Sequence, residues 1–282
     1  MPQVELSRAT VHYQVTGEGP PLLCVMGFGA PLEGFGPQVR ALAAHRRVIA
    51  FDNRGVGRSS VPRLPWSIED LAVDALELMD HLEIERADLL GISMGGMIAQ
   101  RVAIARPARV NALVLAATFA HADRILQRRL ARLIARAVAG WMRGGLGGRR
   151  AFERSMRDAW ERHVVAGRPL DAEAQAILDQ GWDLRETMKS SDLGVLGQLI
   201  ALLGHDTRSA LSLIRAPTLV IAGSADGLSP LHQARALASG IPGARLQILP
   251  GAPHGMNFVS PSAFNAAVEA FLNAHSPLRK AS

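Results

Sequence analysis

The chain has 282 residues and a mass of 30.2 kDa, enough for one large α/β domain with an insertion or for two small domains. Hydrophobic residues make up 48% and charged residues 20%, which excludes a disordered or collagen-like chain. The net charge of +6 raises a nucleic acid, a membrane surface or an acidic substrate as a partner, so its location matters.

Most of the charge sits in one stretch. Twelve arginines and three acidic residues lie between Arg124 and Arg168, a net +9, which leaves −3 for everything else. The sequence therefore describes a mildly acidic body carrying a basic insert. The single cysteine, Cys24, rules out an internal disulfide and a cysteine-based zinc site. The first residues, MPQVELSRATVHY, lack a basic-then-apolar signal pattern, and no apolar run reaches the roughly 18 residues of a membrane span. The expectation is a soluble, cytoplasmic protein.

In chain order, residues 4–7 and 10–15 predict a short hairpin, and 21–28 and 46–52 predict buried strands with a helix near 36–44 between them. Ser67 and Asp70 have the spacing of a capping box that opens an amphipathic helix running to about His81. Residues 87–93 read as a buried strand, the stretch from Met94 as a helix stopped by Pro107, and 109–118 as another strand. Strands separated by helices imply a mostly parallel sheet with right-handed crossovers.

From Phe119 to Leu213 the apolar spacing turns helical, no strand is predicted, and the GGLGG cluster at 144–148 predicts a loop between helices. Alternation resumes with a strand at 216–224. Ser229 and Pro230 then predict an N-cap and first-turn proline, 244–250 the next strand, and Ser260 with Pro261 the last helix. The expected organisation is a core of residues 1–118 and 214–282 interrupted by a helical insertion, 119–213.

Gly91-Ile92-Ser93-Met94-Gly95 has the form G-x-S-x-G at the junction of a predicted strand and helix. That is the strand-turn-helix in which a serine is held on a strained turn with its hydroxyl exposed, although the same serine could serve only as a helix N-cap. A serine hydroxyl is a poor nucleophile unless an oriented base takes its proton. Asp226, in the loop after 216–224, and His254, in the loop after 244–250, follow the ends of later strands, the edge where ligands collect in open α/β sheets. Taken singly, Asp226 fits a turn aspartate and His254 a surface histidine. The order Ser, Asp, His, each after a strand, is the chain order of one known constellation.

These segments, together with FDNRGVGRSS at 51–60 and CVMGFGAP at 24–31, resemble the α/β-hydrolase fold family over essentially the whole chain. The resemblance implies an α/β fold, a mostly parallel central sheet flanked by helices, with 119–213 as an inserted helical cap. It implies Ser93 as nucleophile, His254 as base, Asp226 as orienting acid, and the backbone N–H groups of Phe28 and Met94 as oxyanion hole. Where the family commonly has His-Gly before the oxyanion residue, this chain has Met26-Gly27, which removes a polar anchor but not the backbone donors. That variant is similar to the branch containing anthracycline methylesterases and some lactonases.

The expected activity is hydrolysis of a carboxylic ester or lactone of a medium-sized hydrophobic small molecule, with no cofactor and no metal. The same triad also serves C–C bond hydrolases and cofactor-free haloperoxidase or perhydrolase chemistry, and a non-catalytic small-molecule binding protein is the third reading. Halide and epoxide chemistry is disfavoured because relatives that perform it carry a carboxylate where this chain has Ser93. There is no H-E-x-x-H, no close histidine pair and no Walker loop, and GVGRS at 55–59 reads as a turn. Phe28, Met94, Trp141 and Trp182 are the expected pocket residues. On a helical wheel of 124–138, Leu126, Leu130, Leu133, Ile134 and Ala137 oppose Arg124, Arg128, Arg129, Arg132 and Arg136. The basic stretch thus predicts a solvated face rather than a nucleic-acid or membrane surface, and the sequence is silent on oligomeric state.

Overall fold

A computed structural model of the chain describes residues 2–124, 161–170 and 192–275, with isolated positions between these segments. Eight strands form one sheet: β1 (Gln3–Glu5), β2 (Thr10–Thr16), β3 (Pro21–Val25), β4 (Arg47–Phe51), β5 (Ala87–Ile92), β6 (Val110–Ala116), β7 (Thr218–Gly223) and β8 (Arg245–Leu249). Their spatial order is β1-β2-β4-β3-β5-β6-β7-β8. The predicted hairpin is present as the antiparallel pair β1–β2, β2 pairs antiparallel with β4, and every later pairing is parallel. Most strands are two to three residues shorter than their apolar runs, because residues at the ends of a run leave the ladder to form the flanking loops. The stretch 21–28, for example, pairs only to Val25, and 26–28 begin a loop.

The order places a topological switch point in mid-sheet. From β3 the chain moves outward to β4, then returns to lay β5 on the other side of β3. The connections leaving β3 and β5 therefore diverge and open a crevice at the strand C-termini, where ligands bind in sheets of this kind.

Helices cover both faces, which is why the central strands lack an apolar–polar alternation. Leu23 and Val25 of β3 pack with α2 (Ile68–His81), α3 (Met94–Ala105) and α5 (Leu231–Gly240) on one face. Leu22 and Cys24 face α1 (Gly36–Leu42) and α7 (Pro261–His275) on the other. The expected capping box opens α2: Ser67 Oγ accepts the Asp70 N–H at 3.2 Å, and Asp70 Oδ2 accepts the Ser67 N–H at 2.9 Å. Two further α-helices are α4 (Asp192–Leu203) and the four-residue α6 (Met256–Val259), the latter leading into α7.

Two expectations change. Ser229 does not cap α5: the helix starts at Leu231 after Pro230, and the Ser229 hydroxyl instead donates to the Thr118 carbonyl at 2.9 Å. Tertiary placement beside the end of β6 supplies an acceptor that outcompetes the local cap. Among the described residues of the segment 119–213, predicted without strands, there is one isolated antiparallel bridge, His121 with Asp206. Beside it the Thr207 N–H donates to the Ala120 carbonyl at 2.8 Å, so the two ends of that segment meet at the sheet. Arg124, Arg128, Arg132 and Arg168 are exposed, as the helical wheel requires for the first three. Arg129, Arg136 and the 144–148 loop lie outside the described residues.

Candidate active site

Ser93 is the single residue between β5 and α3. Its backbone sits at φ 55° and ψ −119°, a region that side-chain-bearing residues rarely occupy and that costs about 1–3 kcal/mol. The strain is held by neighbours on both sides. The Ser93 N–H donates to the Ala116 carbonyl at 2.9 Å, and its own carbonyl accepts from Gly96 and Met97 of α3. Gly95 lets α3 press onto the end of β3, since a Cβ there would overlap the Val25 carbonyl oxygen. The result is a half-buried serine whose side chain projects from the tip of the turn.

His254 stands in the loop after β8 and Asp226 in the loop after β7. A backbone hydrogen bond from Ala225 N–H to the Ala252 carbonyl, 3.0 Å, joins these two loops. His254 Nε2 lies 3.0 Å from Ser93 Oγ, and His254 Nδ1 lies 2.8 Å from Asp226 Oδ2. An ionised carboxylate only accepts, so Nδ1 carries the proton and donates to Asp226, leaving Nε2 to accept from the serine hydroxyl. The second carboxylate oxygen, Oδ1, accepts the N–H groups of Leu228 and Ser229, both at 2.8 Å. Asp226 and His254 are buried, at 5% and 8% exposure, so their hydrogen bonds work in a medium less polar than water.

The loop after β3 closes the crevice from the opposite side. A Cβ on Gly27 would stand 3.1 Å from Ser93 Cβ and 3.7 Å from its Oγ, which places this backbone directly against the serine. Ala30 N–H donates to the Gly27 carbonyl at 3.3 Å, making a turn that holds Phe28 at its second position. Met94 is the first residue of α3, where N–H groups have no partner within the helix and the helix dipole is positive. Among the described residues, the Phe28 and Met94 N–H groups have no hydrogen-bond acceptor. The Met94 side chain is fully enclosed in the core, so what this residue presents to the site is its backbone, whereas Phe28 is half-buried at the margin of that core. Trp141 and Trp182 lie outside the described residues.

The motif FDNRGVGRSS proves to be scaffolding for that loop. Asp52 accepts the Leu32 N–H at 2.7 Å and the Arg58 N–H at 2.9 Å, and Asn53 Nδ2 donates to the Met26 carbonyl at 2.9 Å. Burial pushes the Asp52 carboxyl up to about 6. Arg54 and Asp74 form a bidentate pair with both contacts at 2.6 Å, 2% exposed on each side. These contacts escaped the sequence reading, as did Gln198 of α4, whose visible signal is one glutamine inside the apolar run Val195–Leu203. Cys24 is no rival nucleophile, since it is buried in β3 and burial pushes its thiol far above the usual range.

Among the described residues no cluster of His, Cys, Asp and Glu side chains suits a metal ion, and no helix is long and apolar enough to cross a membrane.

A strained serine at a switch point, facing a histidine and an aspartate from two later loops, is the arrangement of a hydrolase fold, and the sequence pattern of the alpha/beta hydrolase fold family matches residues 20–261. The chain belongs to that family. It is 31% identical over 281 residues to a protein of Azorhizobium caulinodans whose name reads "Putative carbamate hydrolase RutD", covering 96% of this chain and 98% of that one. It is 31% identical to 3-oxoadipate enol-lactonase 2 of Acinetobacter baylyi, with 93% and 92% covered. The crystal structure of the enol-lactonase from Burkholderia xenovorans LB400 matches with a TM-score of 0.79 and 30% identity, covering 96% of this chain and all of that one. The protein is an enzyme of the alpha/beta hydrolase type.

Proposed function

We propose that this enzyme is a serine hydrolase of carboxylic esters or lactones, with Ser93 as nucleophile, His254 as general base and acid, and Asp226 as the group that orients and stabilises the imidazole. The observation that carries the reading is the continuous pair of hydrogen bonds Ser93 Oγ–His254 Nε2 and His254 Nδ1–Asp226 Oδ2, 3.0 and 2.8 Å, at the switch point of the sheet.

Ser93 Oγ attacks the substrate carbonyl carbon as its proton passes to His254 Nε2. The carbonyl oxygen becomes an oxyanion between the Phe28 and Met94 N–H groups, where one donor contributes about 2.7–4 kcal/mol of transition-state stabilisation. Collapse of the tetrahedral intermediate breaks the carbon–oxygen bond, and His254 protonates the departing alkoxide. In a lactone the alcohol stays attached to the acyl group. Water then repeats the attack, with His254 again taking the proton, and Ser93 is released. Every proton moves through one imidazole, so the cycle closes without a cofactor.

Residues 119–213 act in this reading as a cap over the nucleophile, and Phe28 lines a pocket for a medium-sized hydrophobic substrate. The names of the two enol-lactonases support a lactone as one substrate class. The lone, buried Cys24 supports a cytoplasmic location. Carbamate cleavage, suggested by the first relative's name, requires the same attack and leaving-group protonation and is the second reading.

The test compares wild type with Ser93→Ala on p-nitrophenyl acyl esters of increasing chain length, an enol-lactone and a carbamate. Ester or lactone turnover that exceeds carbamate turnover and disappears in folded Ser93→Ala supports the proposal. Turnover that survives the substitution removes it, and a preference for acetate alone removes the hydrophobic pocket.

A further inference from the structure

Among the described residues, the donors placed for an oxyanion beside Ser93 are the backbone N–H groups of Phe28 and Met94, so the seating of the loop carrying Phe28 matters to the chemistry. Met26, in that loop, offers no polar tie: it is apolar and buried, with its methyl group against Gly34. Asn53 and Asp52 hold the two ends of the loop, at Met26 and Leu32, and the tie at its turn comes from α4. Gln198 Oε1 accepts the Gly29 N–H at 2.8 Å, and Gln198 Nε2 donates to the Arg54 carbonyl at 3.0 Å. The amide can be placed only one way, since a flip would set its NH2 against the Gly29 donor and its oxygen against the Arg54 acceptor. Gln198 is completely buried, and so is its contact with the Arg54 carbonyl.

The backbone of both partners is adapted to this contact. Gly194, one turn before Gln198 on α4, lies against Gly55, and a Cβ on Gly194 would overlap the Gly55 carbonyl oxygen. That close approach brings the helix within reach of the loop. Gly29 has φ +65°, the left-handed conformation that a turn with glycine at its third position requires, and its N–H is the one Gln198 receives. The hydrogen bond therefore fixes the orientation of the Phe28–Gly29 peptide, next to the Phe28 N–H.

We propose that Gln198 is a positioning residue for the oxyanion loop: by bridging Gly29 and Arg54 it makes the geometry of the Phe28 donor depend on the seating of α4 within the segment 119–213. The inference rests on the serine-hydrolase reading above. It assigns α4 a part in the chemical step in addition to any part in choosing substrate.

The test uses the full-length protein and a p-nitrophenyl ester that the wild type hydrolyses. Gln198→Met removes both hydrogen bonds at nearly constant volume. Its kcat is expected to fall about 10- to 100-fold with KM within about threefold, since a small displacement of an oxyanion donor acts on the transition state. The inhibition constant of a trifluoromethyl ketone, which forms a tetrahedral oxyanion on the serine, is expected to rise by the same factor. Gln198→Glu keeps an acceptor for the Gly29 N–H but sets its second oxygen against the Arg54 carbonyl, the same clash that forbids the amide flip, so its kcat is expected to fall as in Gln198→Met. A merely structural glutamine predicts a lower melting temperature with kcat of the folded protein unchanged; kcat within twofold of wild type in folded Gln198→Met overturns the proposal. Should that variant not fold, Gln198→Asn withdraws the amide by one methylene while keeping its polarity. For it a fall in kcat of about fivefold or more is expected, and a value within twofold of wild type overturns the proposal. Ser93→Ala measured in parallel separates the two readings. Turnover retained there overturns both, whereas turnover lost there but intact in the Gln198 variants overturns only the role of Gln198.

Discussion

His254 Nδ1 donates to one oxygen of Asp226 at 2.8 Å while the other oxygen of the same carboxylate is occupied by the Leu228 and Ser229 N–H groups. The carboxylate is thus divided between its own loop and the imidazole, and each oxygen has a fixed task.

Asp226→Asn exploits that division. The two backbone donors require the amide oxygen, which turns the NH2 toward His254 Nδ1 and forces the proton onto Nε2, where it faces Ser93 Oγ. On the proposed mechanism the imidazole then cannot accept the serine proton. The expected outcome is a fall in kcat of about 10⁴ at neutral pH with the circular dichroism spectrum unchanged. A loss of less than about tenfold argues against His254 as the base.

Gly95→Ala drives a methyl group into the Val25 carbonyl and the Met26 backbone, neither of which is a flexible side-chain end. A destabilisation of at least about 1–3 kcal/mol is expected, with loss of activity because Ser93 is carried on the same turn. Gly227→Ala is the control. A Cβ there meets nothing within 4 Å, and its unfolding free energy is expected to stay within about 0.5 kcal/mol of wild type in a urea titration.

The ion pairs divide by burial. Asp74→Ala leaves the guanidinium of Arg54 uncompensated in the core, at 2% exposure, and is expected to cost about 3–5 kcal/mol. Arg8→Ala breaks a contact to Asp70 in which Arg8 is 64% exposed, and is expected to cost no more than about 1 kcal/mol. Equal effects in chemical denaturation contradict this division.

Two of the buried groups through which stability responds to acid, His205 and Asp52, act with opposite sign. Burial, helped by Arg101, holds His205 down at about 4, against about 6.5 in an unfolded chain. Between those values the unfolded chain binds the proton, so this residue makes the fold lose up to about 3 kcal/mol as pH falls from about 6.5 to 4. Asp52, raised by burial to about 6 against about 3.9 unfolded, binds its proton in the folded state first and adds stability over roughly the same interval. The effect is therefore read as a difference. His205→Gln is expected to show a smaller loss of melting temperature between pH 7 and 4.5 than wild type, and an identical loss shows that His205 does not contribute.

The fold was legible because local signals agreed with one another. The apolar runs, the Ser67–Asp70 capping box and the glycines around Ser93 each act within a few residues, and each predicted an element that the structure contains. The signal at Ser229 failed because its partner, Thr118, is distant in sequence, and capping strength is decided by whichever acceptor the fold brings near.

By itself the sequence determined the α/β alternation, the strained serine turn and the membership of Ser93, Asp226 and His254 in loops at one edge of a sheet, because strand periodicity and turn chemistry are local properties. Only the tertiary structure decided that those loops converge to hydrogen-bond distance, that Asp226 divides its oxygens, and that Gln198 reaches across 169 positions to Gly29. Such contacts depend on strand order and helix seating, and a one-dimensional pattern does not encode which distant polar groups a buried side chain will meet.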